Sequence, residues 1–150
     1  MAYALGQTHS RSAVTPLTNL LTADKEDSVR AAAVVALGDI RDETAVPALA
    51  QVLAGEEPTR KKKRRENEFI LRAAAESLGK IRSRAGVRPL LAALTNDSNP
   101  SEVRRAAATA LGLIGDPSAM PALQAALTSD DPYLSQAARE AMRRLRSATP

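Results

Sequence analysis

The sequence predicts an all-α protein built as an array of helix–turn–helix repeats, and three observations predict it. A Leu-Gly pair recurs at Leu5-Gly6, Leu37-Gly38, Leu78-Gly79 and Leu111-Gly112, and a proline follows ten or eleven residues after each leucine, at Pro16, Pro47, Pro89 and Pro121. The Leu-Gly spacings are 32, 41 and 33 residues, a period that marks helical repeat arrays. Thirty alanines accompany one Phe, two Tyr and no Trp in 150 residues. Alanine is the strongest helix former, and its small side chain lets helices approach closely.

Each unit contains two helix types. The first is expected over Ala13–Leu21, Thr44–Leu53, Ala85–Leu94 and Pro117–Leu127. Its start is plainest at Asp116-Pro117, an N-cap followed by proline at the first helical position. The recurring proline falls a few residues further in, where a missing donor would bend the helix and suit a curved layer. The second type carries Val-Arg, alanines and Leu-Gly, over Val29–Ile40, Ile70–Ile81, Val103–Ile114 and, degraded, Leu134–Leu145. Apolar residues at 29, 33, 36, 37 and 40 fall on one helical face. Glycine inside a helix costs about 1 kcal/mol relative to alanine, so close approach of a neighbouring repeat is expected there. The last copy has Met142-Arg143 in place of Leu-Gly, and Arg143, Arg144 and Arg146 read as the polar end cap such arrays need. Met1–Thr8 aligns with only the last two turns of a second-type helix, so the first repeat reads as truncated. That open end is expected to meet a second copy or a partner.

Between Leu53 and Phe69 the unit is interrupted by AGEEPTRKKKRRENE. Elsewhere the two helices join through a short loop such as Asn96 to Pro100, and the longer loop accounts for the 41-residue spacing. The chain thus reads as one domain, 1–150, with a basic loop insertion at 55–68. The insertion holds six consecutive cations: Arg60, Lys61, Lys62, Lys63, Arg64 and Arg65. The formal charge is +4, from 21 basic and 17 acidic residues. Without the run, 15 basic residues face 17 acidic ones, so the positive charge is one local feature. It reads either as a cationic arm for nucleic acid, an acidic protein face or anionic lipid, or as a solvated loop partly neutralised by Glu56, Glu57, Glu66 and Glu68. Binding to phosphates would weaken steeply with salt.

Catalysis has little to stand on. The chain has no cysteine, which removes disulfides and thiolate metal sites and favours a reducing compartment. His9 is the only histidine, too few for a histidine metal cluster. The pairs Asp130-Asp131 and Glu56-Glu57 lie in loops without an apolar pocket to raise a pKa. The seven glycines are dispersed, so no phosphate-binding loop occurs. No cofactor is expected. No apolar run approaches the length of a membrane span, and MAYALGQTHS lacks the features of a signal peptide. A soluble, cytoplasmic, non-catalytic protein is the expectation.

The combination of Asp, a short gap, Val-Arg, alanines, Leu-Gly, an Ile and then Ala-Val-Pro-x-Leu resembles the HEAT repeat, specifically the PBS-lyase-type HEAT-like repeat of prokaryotes. The resemblance covers four units and a partial one at the start. It implies a right-handed α-solenoid of about four helix pairs, with second-type helices lining the concave side, used as a protein-interaction or scaffold module. It also implies a ladder of loop Asp and helix Arg, which Asp24 with Arg30 and Asp97 with Arg104 fit, and which Leu71 and Ser135 break. The hydroxylase of this repeat class needs His-Glu pairs and its DNA glycosylase has groove aromatics; both are missing. A phycobilin-lyase-like or chromoprotein-associated subunit stays as an alternative, as does an electrostatic nucleic-acid binder acting through the basic run.

On the implied concave face, the positions opposite the core stripe hold Ala31, Val34 and Val35; Arg72, Ala75 and Glu76; Arg105, Ala108 and Thr109; and Gln136, Arg139 and Glu140. They read as a mixed groove in which Arg72, Arg105 and Arg139 form a track for an acidic peptide or helix, or as ordinary solvated faces with paired charges. One of Val34 and Val35 is expected to be exposed for contact. Phe69 and Tyr133 share one repeat position and are expected to pack over the start of the second-type helix.

Overall fold

Alanine-rich segments with apolar residues three and four apart form amphipathic helices. The computed structural model describes residue 2 and residues 10–55 and 67–148, and holds eight α-helices there and no strand. They are α1 (Val14–Ala23), α2 (Asp27–Ile40), α3 (Val46–Leu53), α4 (Glu68–Ile81), α5 (Val87–Thr95), α6 (Ser101–Ile114), α7 (Met120–Ala126) and α8 (Pro132–Ala148). Odd-numbered helices are the first type and even-numbered helices the second. Each odd helix packs on the even helix that follows it, and the even helices pack in sequence on one another. The core runs between the two layers without a break. Leu17, Leu49, Leu90 and Leu123 from the odd helices meet Leu37, Leu78, Leu111 and Leu134 from the even ones, all fully buried. The architecture is an α-solenoid.

Both helix types begin differently from the sequence expectation. A 3-10 turn precedes every odd helix: Arg11–Ala13, Glu43–Ala45, Arg84–Gly86 and Pro117–Ala119. Asp42, Ser83 and Asp116 accept the N–H of Thr44, Ala85 and Ser118 at 2.9, 3.2 and 2.9 Å and so hold these turns. The recurring prolines therefore fall in the first turn of each α-helix, where N–H groups have no intrahelical partner. They cost no bond and no bend is needed; the 3-10 turn redirects the chain. The even helices start two residues before the expected point. Asn67 and Asp131 accept the N–H of Phe69 and Tyr133 at 2.9 and 3.0 Å, and this exposed first turn lies outside the apolar stripe.

The glycines mark where even helices touch. A Cβ on Gly38 would collide with the Ser77 side chain and lie 2.9 Å from its Cα. One on Gly79 would lie 2.9 Å from Ala110 Cα, and one on Gly112 would lie 2.7 Å from Ala141 Cα. Backbones at this separation interlock only where one partner lacks a side chain. Odd helices touch one another sparsely by comparison. The even helices form one continuous face of the array, here the inner face.

The expected Asp–Arg ladder is a capping device. Arg30 Nε donates to the carbonyl of Leu21 at 3.2 Å, and Arg104 Nε to that of Leu94 at 2.9 Å. Ser135 Oγ donates to the carbonyl of Leu127 at 3.1 Å. Each bond satisfies a carbonyl that the end of an odd helix leaves without a partner. Ser135 thus keeps the role that its residue type concealed, while Leu71 is buried instead. Arg104 also meets Asp97 at 3.1 Å. Arg30 meets Asp27 at 3.7 Å, and Asp24 accepts the N–H of Glu26. Arg104→Ala is expected to cost about 1.5 kcal/mol and Ser135→Ala about 0.5 kcal/mol, because the first removes a charged donor and the second a neutral one. Urea unfolding of the two variants checks the order.

Candidate functional site

The even helices share a repeating surface pattern, set by which side of each helix the next one covers. Val34, Ala75 and Ala108 occupy one repeat position and are all fully buried by the following even helix. The Val34 carbonyl accepts a hydrogen bond from Ser77 Oγ at 2.9 Å across that contact. Val34 is therefore a core residue, and the expectation that placed it on the concave face is corrected. Val35 is the half-buried one of the pair. Arg139 has the same repeat position as Val34 but is exposed, because no even helix follows α8 among the described residues.

Three columns remain open along the inner face. Ser28, Phe69, Glu102 and Tyr133 form one, Ala31, Arg72, Arg105 and Gln136 the next, and Val35, Glu76, Thr109 and Glu140 the third. Grooves run between neighbouring helices. The α2–α4 groove, about 490 Å³, is lined by Ala31, Ala32, Val35, Phe69 and Ile70, with Asp27, Ser28 and Asn67. The α4–α6 groove, about 400 Å³, holds Arg72, Glu76, Lys80, Glu102, Arg105, Thr109 and Leu113. The α6–α8 groove, about 660 Å³, holds Arg105, Thr109, Tyr133, Gln136, Arg139, Glu140 and Arg143.

The arginine track is divided by its pairing. Arg105 donates through Nε and Nη2 to both oxygens of Asp131 at 2.8 Å, and through Nη1 to Glu102 at 2.6 Å. Its guanidinium also lies over the Tyr133 ring, 4.9 Å from the centroid. Lys80 holds Asp39 at 2.9 Å and Arg143 holds Glu140 at 2.9 Å. Arg72 differs. It lies over Phe69 at 5.4 Å, its Nε is 3.7 Å from Glu76, and that nitrogen is shielded from water without a hydrogen-bond partner among the described residues. Arg139 forms no ion pair among the described residues. The middle arginine is thus engaged within the fold and the outer two face the grooves.

Phe69 and Tyr133 are 50% and 65% exposed, which corrects the expectation that they pack over the helix start. Each stands at the mouth of an inner groove under an arginine. The signal was present in the sequence: two of the three aromatic residues occupy one repeat position, with arginines at Arg72 and Arg105 on the adjoining column.

The Arg105 hydrogen bond, with the N–H groups of Leu134 and Tyr133, holds the Asp131 carboxyl below its ordinary pKa. Thr44 does the same for Asp42, through its hydroxyl and then its N–H, and Ser118 for Asp116, led by its N–H. A depressed folded-state pKa contributes stability above the unfolded value, near 3.9, and loses it as pH falls through the folded value. The melting temperature is therefore expected to fall between pH 5 and pH 2, and Asp131→Asn to flatten that fall, as a pH series of thermal melts would record.

Among the described residues no three His, Cys, Asp or Glu side chains gather to hold a metal ion. No helix there is long and apolar enough to cross a membrane. The run Arg60, Lys61, Lys62, Lys63, Arg64 and Arg65 lies outside the described residues, as does His9.

The sequence profile described as HEAT repeats matches residues 1–67 and again residues 61–143. No curated protein matches the chain. Among solved structures, the chain is similar to one in the complex of CpcE and CpcF of phycocyanin lyase from Nostoc sp. PCC7120, with TM-score 0.77 and 24% identity over 97% of this chain. This chain spans 58% of that one. It is also similar to human deoxyhypusine hydroxylase, solved with glycerol, at TM-score 0.52 and 19% identity, covering 97% of this chain and 78% of that one. At these identities the likeness is one of fold.

Proposed function

Because this chain belongs to the HEAT-repeat family, we propose that it is a non-catalytic protein-interaction module that holds a partner against the inner face of its even helices. Solenoids of this kind present extended concave binding surfaces. The observation that carries the reading is the row of three open grooves along that face, with Phe69 and Tyr133 exposed at two of their mouths. Tyrosine and arginine are among the residue types most enriched at binding hot spots, and phenylalanine is enriched at interfaces. The Arg60–Arg65 run is read as an auxiliary electrostatic contact.

The test is a nuclease-treated pull-down from the native lysate, read by mass spectrometry. Wild type is compared with Thr109→Arg, which obstructs two grooves, and with a variant carrying serine at 60–65. A partner held by wild type and the serine variant but lost with Thr109→Arg supports the reading. A partner lost only with serine at 60–65 moves the site to the loop, and binding that disappears with nuclease moves it to nucleic acid. A second reading is a lyase-associated subunit of a two-chain assembly, favoured by the superposition of 97% of this chain on one from the CpcE–CpcF complex. A single partner recovered in equal amount, itself built of helical repeats, would favour it.

A further inference from the structure

The α2–α4 groove and the open arginine meet at one ring. Phe69 lines the trough with Ala31, Ala32 and Val35, and the same ring carries the Arg72 guanidinium at 5.4 Å. Resting on the reading of this face as a protein-binding surface, we propose that the partner segment is acidic and apolar together. It lays an apolar side chain in the trough and sets a neighbouring carboxylate on Arg72.

Three observations select this chemistry. The trough is walled by alanine, valine and a half-exposed aromatic ring, so an aliphatic side chain entering it removes apolar surface from water on both sides. The Arg72 side chain is 39% exposed, its guanidinium makes no hydrogen bond among the described residues, and Glu76 on the same helix stands off at 3.7 Å. A carboxylate matches the exposed edge of the planar guanidinium. Charge points the same way. The cations lining the α4–α6 and α6–α8 grooves are Arg72, Lys80, Arg105, Arg139 and Arg143, against Glu76, Glu102 and Glu140. Three of those cations hold carboxylates at 2.9 Å or closer, which leaves Arg72 and Arg139 to meet a partner. A basic segment would be repelled by both; a purely apolar one would cover the exposed edge of the Arg72 guanidinium without giving it an acceptor.

Short random peptides displayed in a library are selected on the full chain, and the enriched peptides are measured by fluorescence anisotropy. Enriched sequences are expected to place Asp or Glu beside Leu, Ile, Met or Phe. Arg72→Gln, which copies the residue found at the same repeat position in α8, is expected to weaken them at least tenfold, the order of a charged hydrogen bond. Changing the peptide's Glu to Gln should cost the same on wild type and little on Arg72→Gln, since the two changes remove one interaction. Ala31→Glu should weaken binding by obstructing the trough. Melting curves of each variant report whether its fold is kept. If enriched peptides ignore Arg72→Gln but lose affinity with Thr109→Arg or Arg139→Gln, the inner face binds by another route and this inference alone falls. If no peptide is enriched, or none responds to any inner-face substitution, the reading of the face falls and the inference with it.

Discussion

Gly79→Val is expected to destabilise the array by about 3 kcal/mol, the upper part of the range for overpacking a close contact. For a chain of this length that is a melting temperature lower by roughly 6–12 °C. The added Cβ would lie 2.9 Å from both Cα and Cβ of Ala110 and 3.3 Å from Leu113 Cδ1. The first of those atoms is backbone, so α6 as a whole must retreat from α4. Helix propensity opposes the loss only slightly, because valine gains less than alanine over glycine. The contact also joins the two halves of the array, and repeats in a solenoid are held by nearest-neighbour interfaces. The thermal transition is therefore expected to broaden or divide in two. Ala92→Val, on an exposed position of α5, is the control, with an effect within about 0.5 kcal/mol. A Gly79→Val protein that melts with wild type would show that α4 and α6 do not approach as described.

Leu111→Ala is expected to cost about 2–5 kcal/mol, or roughly 4–20 °C. Leu111 is fully buried between the layers, and truncation leaves a cavity that two flanking helices cannot close without losing their own contacts. Leu113→Ala, two residues away on the same helix, is expected to cost under about 1 kcal/mol because that side chain lines the inner groove rather than the core. The pair reads the rotation of α6 about its axis. Equal losses in urea unfolding would place the core on a different face of the helix.

The features legible in the sequence are those that a local period encodes. Leu-Gly spacing and the apolar stripe, at 33, 36, 37 and 40 in the first copy, located α2, α4 and α6, and the cost of a helical glycine foretold the tight contacts at Gly38, Gly79 and Gly112. The prolines were legible as marks but not in their role. A first-turn proline and a bending proline look alike until the 3-10 turn before them is seen. The Ser135 cap was hidden because a hydroxyl and a guanidinium reach the same carbonyl from the same position by different lengths. On the candidate site, Val35, Arg72, Glu76, Arg105, Thr109 and Arg139 line the inner grooves and Val34 does not.

By itself the sequence determined the repeat and the two helix types, and it holds one histidine and no cysteine. Only the tertiary structure decided which residues of an even helix face the groove and which face the next helix. Adjacent residues on a helix differ by about 100° around its axis, so Val34 and Val35 are equal candidates until the neighbouring helix is placed. That neighbour packs on Gly38 because glycine alone admits the Ser77 backbone and side chain there, and its position buries Val34 and leaves Val35 at the groove. The same placement engages Arg105 with Asp131, one repeat away and 26 residues on, and leaves Arg72 open. Pairing across repeats depends on how helices lie in space, which no period along the chain records.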